Sequence, residues 1–282
     1  MILEKTIRKA SLILKNSNIE SHELDAEIIL SNIMGVTKEF IITNNKISIP
    51  KNVIKEYNKA ISRRTKREPV AYIIGKKEFW SKSFKVSKST LVPRPETELL
   101  IYKIINFFKN KSINILDIGT GSGCILLSIL QEVKNSRGVG IDVSSKAIKI
   151  AKFNANKFAL NNRTRFKVCD LTKFNEGKYD LIVSNPPYIP TKDIRNLSKD
   201  ITNFEPKVAL KGGIDGLDLI KKVIYKSNYL LKNNGMLAIE IGHQQYRTIS
   251  SILCQQGFRE IGIEYDYNRN IRCIISTKVR FF

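Results

Sequence analysis

Asn114-Ile115-Leu116-Asp117-Ile118-Gly119-Thr120-Gly121-Ser122-Gly123 is the stretch whose reading decides the fold. Its first five residues read as a short buried strand. Three glycines at alternate positions then turn the chain into an apolar run, Cys124 to Val133, with helical periodicity. Strand, glycine turn and helix open a β-α unit. Glycines at the carboxyl end of a strand let backbone come close to a ligand where open α/β sheets bind nucleotides. Two phosphate-binding loops are excluded: the dinucleotide fingerprint needs glycine where Cys124 stands, and a P-loop needs a Gly-Lys-Ser/Thr ending. Taken alone, the turn reads equally well as a structural feature.

Toward the C-terminus the same texture repeats. Strands are expected at Gly138–Ile141, Arg165–Cys169, Tyr179–Val183 and Met236–Ile241, and helices at Lys146–Leu160, Leu217–Leu231 and Tyr246–Gln256. Repeated β-α units call for a parallel sheet covered on both faces. The last two strands, Arg259–Tyr265 and Ile271–Thr277, are joined by only Asp266 to Asn270. That link is too short for a helical crossover, so one terminal strand is expected to run antiparallel.

Polar residues collect at the strand ends. The second strand ends in Asp142, an acid placed to accept hydrogen bonds from both hydroxyls of a ribose. The third ends in Asp170-Leu171, where Asp170 serves either as acceptor for an adenine amino group, with Leu171 along the ring, or as the cap of the next turn. The fourth ends in Ser184-Asn185-Pro186-Pro187-Tyr188, a short, stiff, polar ledge with an aromatic wall. Seen alone the ledge is as well read as a turn. Four adjacent strand ends carrying these pieces in this order point to one site.

Toward the N-terminus, residues 2–15 and 21–34 have helical spacing, the second run opened by Ser21 and closed by Gly35. Pro50 starts a third helix that ends in the basic run Arg63-Arg64-Thr65-Lys66-Arg67, read as a solvated face. After Glu68-Pro69 the stretch 76–89 alternates as a hairpin does, and Arg94-Pro95-Glu96-Thr97-Glu98 opens a helix with Pro95 at its first position. The expected organisation is a helical domain over 1–75, a β-hairpin linker over 76–96 and an α/β domain over 97–282.

Of 282 residues, 48 are Lys or Arg against 26 Asp or Glu, a net charge of +22 that gives a weak general attraction to nucleic acid. The chain is also rich in Ile and Asn, as A/T-rich coding produces, so charge by itself names no nucleic-acid substrate. Cys124, Cys169, Cys254 and Cys273 form no C-x-x-C pair, and the histidines are His22 and His243 alone. No metal site and no disulfide framework is expected, in keeping with a reduced cytoplasmic protein. No signal-peptide pattern follows Met1, and no apolar run approaches the ~18 residues of a membrane span, so the expectation is a protein that is neither exported nor embedded in a membrane.

On these residues the chain resembles the class I S-adenosylmethionine-dependent methyltransferases: Asp117-x-Gly119-x-Gly121-x-Gly123 looks like their cofactor loop and Asp142 like their ribose acid. Asn185-Pro186-Pro187-Tyr188 looks like the motif of those that methylate a planar NH2 nitrogen. More narrowly it is similar to the protein-(glutamine-N5) methyltransferases of the HemK/PrmC type, which modify the Gln of the Gly-Gly-Gln motif in peptide chain release factors. Tyr72-Ile73-Ile74-Gly75, Glu78-Phe79-Trp80, Pro93 to Glu98, Asn203-Phe204-Glu205-Pro206, Gly212 to Leu217 and Glu240-Ile241-Gly242 carry that likeness. The N-terminal part matches in size and helical character, and the last turn, Asp266 to Arg272, lacks a glycine expected there.

The resemblance implies a Rossmann-like sheet, mostly parallel with one antiparallel strand near its C-terminal end, preceded by a small helical domain that recognises the substrate. It implies S-adenosylmethionine as cofactor, leaving as S-adenosylhomocysteine, on Gly119, Thr120, Gly121, Ser122, Gly123, Asp142, Asp170, Leu171 and Asn185. It gives Asn185, Pro186 and Tyr188 the catalytic role and Asn185 to Tyr188, Pro187 included, the holding of the substrate amide, with release factors as partners. Two other functions use the same residues: an adenine-N6 methyltransferase of DNA or RNA acting on a flipped base, or a non-catalytic RNA- or ribosome-binding protein.

Overall fold

The computed structural model describes residues 2–279. Two compact units divide the chain: one runs up to Lys76 and takes in Leu197–Phe204, and the other comprises Lys77–Asn196 with the chain from Glu205 onward.

In the first unit α1 (Leu3–Asn16), α2 (His22–Met34), α3 (Lys38–Thr43), α4 (Lys51–Thr65) and α5 (Val70–Ile74) bury one apolar stripe each around Leu14, Ile29, Leu30 and Tyr57. The short helices α3 and α5 are too brief for a periodic signal, and no expectation covered them. The Tyr57 hydroxyl, inside this core, donates to the Ala26 carbonyl at 3.0 Å.

The basic run at the end of α4 departs from its reading as a solvated face. Arg64 is buried and pairs with Asp25 at 2.7 Å and with Asp200, from the segment Leu197–Phe204, at 2.7 Å. Arg63 donates to both carboxylate oxygens of Glu68 at 2.8 Å. Buried acids need opposite charge beside them, and the run provides it.

The second unit opens with a hairpin, β1 (Lys76–Phe79) and β2 (Lys82–Lys85), then α6 (Thr97–Phe108). Helix α6 starts two residues later than Pro95 suggested. Pro95 and Glu96 form a turn, and Thr97 is buried with its hydroxyl on Glu240. The β-α units follow: β3 (Asn114–Ile118), α7 (Cys124–Glu132), β4 (Arg137–Asp142), α8 (Ser145–Lys157), β5 (Thr164–Val168) and β6 (Tyr179–Ser184). After α9 (Lys199–Phe204), which groups with the helical unit, come α10 (Asp218–Leu230), β7 (Leu231–Glu240), α11 (Tyr246–Gln255), β8 (Phe258–Tyr265) and β9 (Ile271–Lys278).

The seven-stranded sheet has the order β5-β4-β3-β6-β7-β9-β8. Strands β3 to β7 pair in parallel, and β9 lies antiparallel between β7 and β8, the one reversed strand that the short final link requires. In that link Arg269 takes the left-handed backbone (φ 61°), and Asp266 accepts from the backbone of Asn268 and Asn270, so the turn closes without a glycine. Strand β7 begins five residues before the expected Met236. Its first part holds the irregular Lys232-Asn233-Asn234-Gly235, where the register to β6 shifts.

Alternate strand residues serve opposite faces. Ile115, Leu181, Val183 and Ala238 pack under α6, α7 and α8, while Leu116, Ile182, Leu237 and Ile239 pack under α10 and α11. Both faces are therefore covered, and the polar strand ends project from one edge of a dry sheet. Among the described residues no helix is long and apolar enough to cross a membrane.

Candidate active site

The glycine loop is shaped by the two strands it leaves and faces. Gly119, Gly121 and Gly123 all have positive φ (73°, 55° and 79°), and at Gly123 a Cβ would also stand 3.1 Å from Leu127 and 3.3 Å from Ala151. The backbone N–H groups of Gly119 and Thr120 both donate to the Ile141 carbonyl at 2.9 Å, tying the loop to the end of β4. Ser122 is held through its carbonyl, which accepts from the Asn154 side chain at 2.9 Å. The Thr120 hydroxyl donates to Asp117 at 2.7 Å. Asp117 is fully buried, and burial pushes its carboxyl up to about 7 against that bond.

Asp142 receives the Gly121 N–H on Oδ2 at 3.0 Å and the Ser144 N–H on Oδ1 at 2.8 Å. Its carboxyl is raised by burial, while these backbone bonds pull the other way. Two donors leave each oxygen a further lone pair, so the ribose role is compatible with the loop role. Asp170 caps the turn after β5: its Oδ1 accepts from the Thr172 N–H at 2.7 Å and the Thr172 hydroxyl at 2.6 Å. The bonds to Thr172 hold its carboxyl below the usual range, and Oδ2 has no partner among the described residues. Capping thus occupies one oxygen of the residue and leaves the other able to accept a further hydrogen bond. Leu171 is buried behind it.

One cleft gathers the strand ends. Gly119 to Ser122, Asp142, Asp170, Leu171, Asn185, Pro186 and Pro187 line it, joined by Cys169, Arg94 and Thr97. Gly123 and Tyr188 are not part of that lining. Gly123 closes the loop onto α7, and Tyr188 is half-buried with its hydroxyl 3.2 Å from Glu240 and the Arg272 guanidinium 5.4 Å from its ring centre. Burial, then the Glu240 charge, raises the Tyr188 hydroxyl well above its ordinary value.

The ledge is anchored on every side. Ser184 donates to the Ile118 carbonyl at 2.9 Å, locking the end of β6 to the end of β3. Gln245 accepts from the Gly242 N–H at 2.8 Å and donates to the carbonyls of Tyr188 at 3.0 Å and Gly216 at 3.3 Å. Asn185 Nδ2 donates to Glu240 Oε2 at 2.8 Å and to Thr97 Oγ1 at 3.1 Å. A carboxylate and a hydroxyl facing this end of the amide fix it as the NH2 end, so Oδ1 is turned away from them. At the rim Arg94 pairs with the buried Glu205 at 2.6 Å.

Thr97, Glu205 and Glu240 lie inside the family-like motifs without a function legible from them, and Gln245 and Arg272 carry no local signal. One signal for Glu240 was present: a lone acid ending the apolar run Met236 to Ile239. Among the described residues no group of His, Cys, Asp and Glu could hold a metal ion.

Comparison with known proteins agrees with this architecture. Residues 5–75 match the family model described as PrmC N-terminal domain, and residues 109–257 match the model described as methyltransferase domain. The chain is 35% identical over 282 residues to the release factor glutamine methyltransferase of Clostridium acetobutylicum, with 99% of each covered. It is 41% identical over 266 residues to the protein of that name from Buchnera aphidicola subsp. Schizaphis graminum, covering 92% of this chain and 94% of the other. A crystal structure of a methyltransferase from Pyrococcus furiosus superposes with a TM-score of 0.51 at 18% identity, covering 70% of this chain and 89% of that one, a likeness of fold.

Proposed function

The chain belongs to the release factor glutamine methyltransferase family, and from that premise we propose that it methylates the side-chain amide nitrogen of the Gln in the Gly-Gly-Gln motif of peptide chain release factors. The single observation that carries this reading is the orientation of Asn185, whose nitrogen is committed to Glu240 and Thr97 while its oxygen is left to accept.

S-adenosylmethionine, when bound, supplies an electrophilic sulfonium methyl and leaves as S-adenosylhomocysteine. The donor set fits it: Asp142 for the ribose diol, Leu171 for the adenine face, Asp170 Oδ2 for the amino group, and the Gly119 to Ser122 loop beside the methionine portion. A primary amide nitrogen is a weak nucleophile because its lone pair is delocalised into the carbonyl. Asn185 Oδ1 and the Pro186 carbonyl each accept one N–H of the target NH2, which fixes the nitrogen with its π lone pair toward the methyl. Among the described residues that carbonyl accepts no hydrogen bond. The proline rings stiffen the ledge, so the acceptors need no reorganisation when the amide arrives. Positioning of this kind supplies on the order of 7 kcal/mol or more of the barrier. With the cofactor bound, its methyl would pass to the nitrogen held by Asn185 and Pro186 and the extra proton would then be lost to water, so no strong base is needed at the ledge. Tyr188, next after the ledge prolines, is the proposed wall for the amide, its hydroxyl held by Glu240 at 3.2 Å.

In the same proposal the helical unit over 1–75 docks the release factor, 76–96 links it, and 97–282 carries the chemistry, with release factors met in the cytoplasm. The test is mass spectrometry of release factor, and separately of DNA, after incubation with the protein and S-adenosylmethionine. One added methyl on the Gly-Gly-Gln peptide is expected. Methyl-adenine with an unmodified release factor would overturn the reading. Asn185→Ala is expected to abolish turnover while cofactor binding stays measurable.

A further inference from the structure

An asparagine side chain has two ends of nearly equal shape, and only one serves the proposed reaction. With Nδ2 toward the cleft, the ledge would offer N–H groups to a substrate nitrogen that has only N–H groups to give. Whatever selects the orientation therefore controls whether the ledge can aim the target nitrogen for transfer.

The selection is made one strand away. The parallel register pairs Ser184 with Ile239, which brings the next residue of β7, Glu240, beside Asn185. Glu240 is 1% exposed and is not part of the cleft lining. Its Oε2 lies 2.8 Å from Asn185 Nδ2 and 2.6 Å from Thr97 Oγ1, and its Oε1 lies 3.2 Å from the Tyr188 hydroxyl. The Thr97 hydroxyl has one hydrogen, given to Glu240, so it meets Asn185 Nδ2 as an acceptor at 3.1 Å. The hydrogens of Asn185 Nδ2, Thr97 and Tyr188 are thereby committed, Asn185 Oδ1 is left over, and the directions agree only with the Asn185 nitrogen pointing inward. Arg272, which donates to the Tyr188 hydroxyl at 3.3 Å, brings a positive charge near the buried acid. An ionisable group placed this deep is costly, and here its bonds run to the two ledge residues that the reaction uses.

We infer that Glu240 is the positioning residue of the ledge: by accepting from Asn185 Nδ2 it keeps Oδ1 turned to the substrate, and it acts on methyl transfer only through Asn185. This inference rests on the reading of Asn185 as the substrate's acceptor. In Glu240→Met, of similar length and without an acceptor of that strength, kcat for methyl transfer from labelled S-adenosylmethionine to recombinant release factor is expected to fall on the order of 10- to 100-fold. The KM for release factor and the Kd for S-adenosylmethionine, measured by calorimetry, are expected to stay near wild-type values. A wild-type kcat would overturn the inference.

A second arm does not depend on that variant folding. Asn185→Asp sets carboxylate against carboxylate and is expected to lose activity to a similar degree. Adding Glu240→Gln supplies an N–H for one oxygen of the introduced carboxylate and leaves the other toward the cleft. The double variant is then expected to recover about tenfold or more over Asn185→Asp. No recovery sinks the inference, since a merely structural role for Glu240 gives no reason for rescue. The underlying reading fails separately. If Asn185→Ala turns over normally, the acceptor role is wrong. If Asn185→Ala is dead while Glu240→Met is fully active, only the positioning role is wrong.

Discussion

Asp117→Asn is expected to change the pH dependence of stability in a defined direction. The carboxyl is fully buried, its Oδ1 has no hydrogen-bond partner among the described residues, and burial pushes it up to about 7 from 3.8. Between those values the folded chain holds a proton that the unfolded chain has released. Stability therefore falls as pH rises, at about 1.4 kcal/mol per pH unit, and roughly 4 kcal/mol is lost by the time pH passes the folded value. Asparagine has nearly the same shape, keeps an acceptor for the Thr120 hydroxyl and does not titrate. Its new NH2 takes the place of the partnerless Oδ1, an offset that does not vary with pH. The assay is urea unfolding of both proteins at half-unit steps from pH 4.5 to 8.5. The free-energy difference, variant minus wild type, should climb in favour of the variant up to about pH 7 and then level. The raised carboxyls of Glu240 and Asp142 titrate in both proteins and largely cancel. A flat difference would refute the reasoning, because it would mean that Asp117 ionises in the folded protein as easily as in the unfolded chain.

Three further expectations follow from the packing and the cleft. A Cβ at Gly140 would stand 2.7 Å from the Phe166 ring and 2.8 Å from Thr120 Oγ1, so Gly140→Ala should cost about 1–3 kcal/mol in denaturant unfolding. Removing Arg64 strands the buried Asp25 and also loses Asp200, and Arg64→Ala should cost about 3–5 kcal/mol, read as a lowered unfolding midpoint at neutral pH. Asp142→Ala should weaken S-adenosylmethionine binding by roughly 2–3 kcal/mol, on the order of 30- to 150-fold in Kd by calorimetry. Unchanged affinity there would remove Asp142 from the site.

The order of elements and the placing of polar residues at the strand ends were legible because both are local. Strand Asn114–Ile118 with its glycine turn, Asp142 after β4 and the ledge after β6 follow from period, turn residues and the rule that open sheets bind ligands at their carboxyl ends. That one terminal strand runs antiparallel was legible from link length, whereas its being β9, inserted between β7 and β8, was not. What required tertiary structure was every relation between groups distant in sequence. Arg64 looks like one member of a solvated basic run until Asp25 and Asp200 are placed against it. The grouping of Leu197–Phe204 with the helices has no local signature. Asp170 left a choice between cap and acceptor, and the structure assigns the cap to Oδ1 and leaves Oδ2 open.

The ledge marks the division most sharply. Its composition, an asparagine and two prolines at the end of a buried strand, is a sequence property and determines that the chain presents acceptors on a stiff loop. Which end of the asparagine faces the cleft is not a sequence property. It is decided by a carboxylate on the neighbouring strand and a hydroxyl at the start of α6, 55 and 88 residues away. Hydrogen-bond direction depends on which donors and acceptors are packed together, and only the folded sheet brings these three side chains within reach of one another.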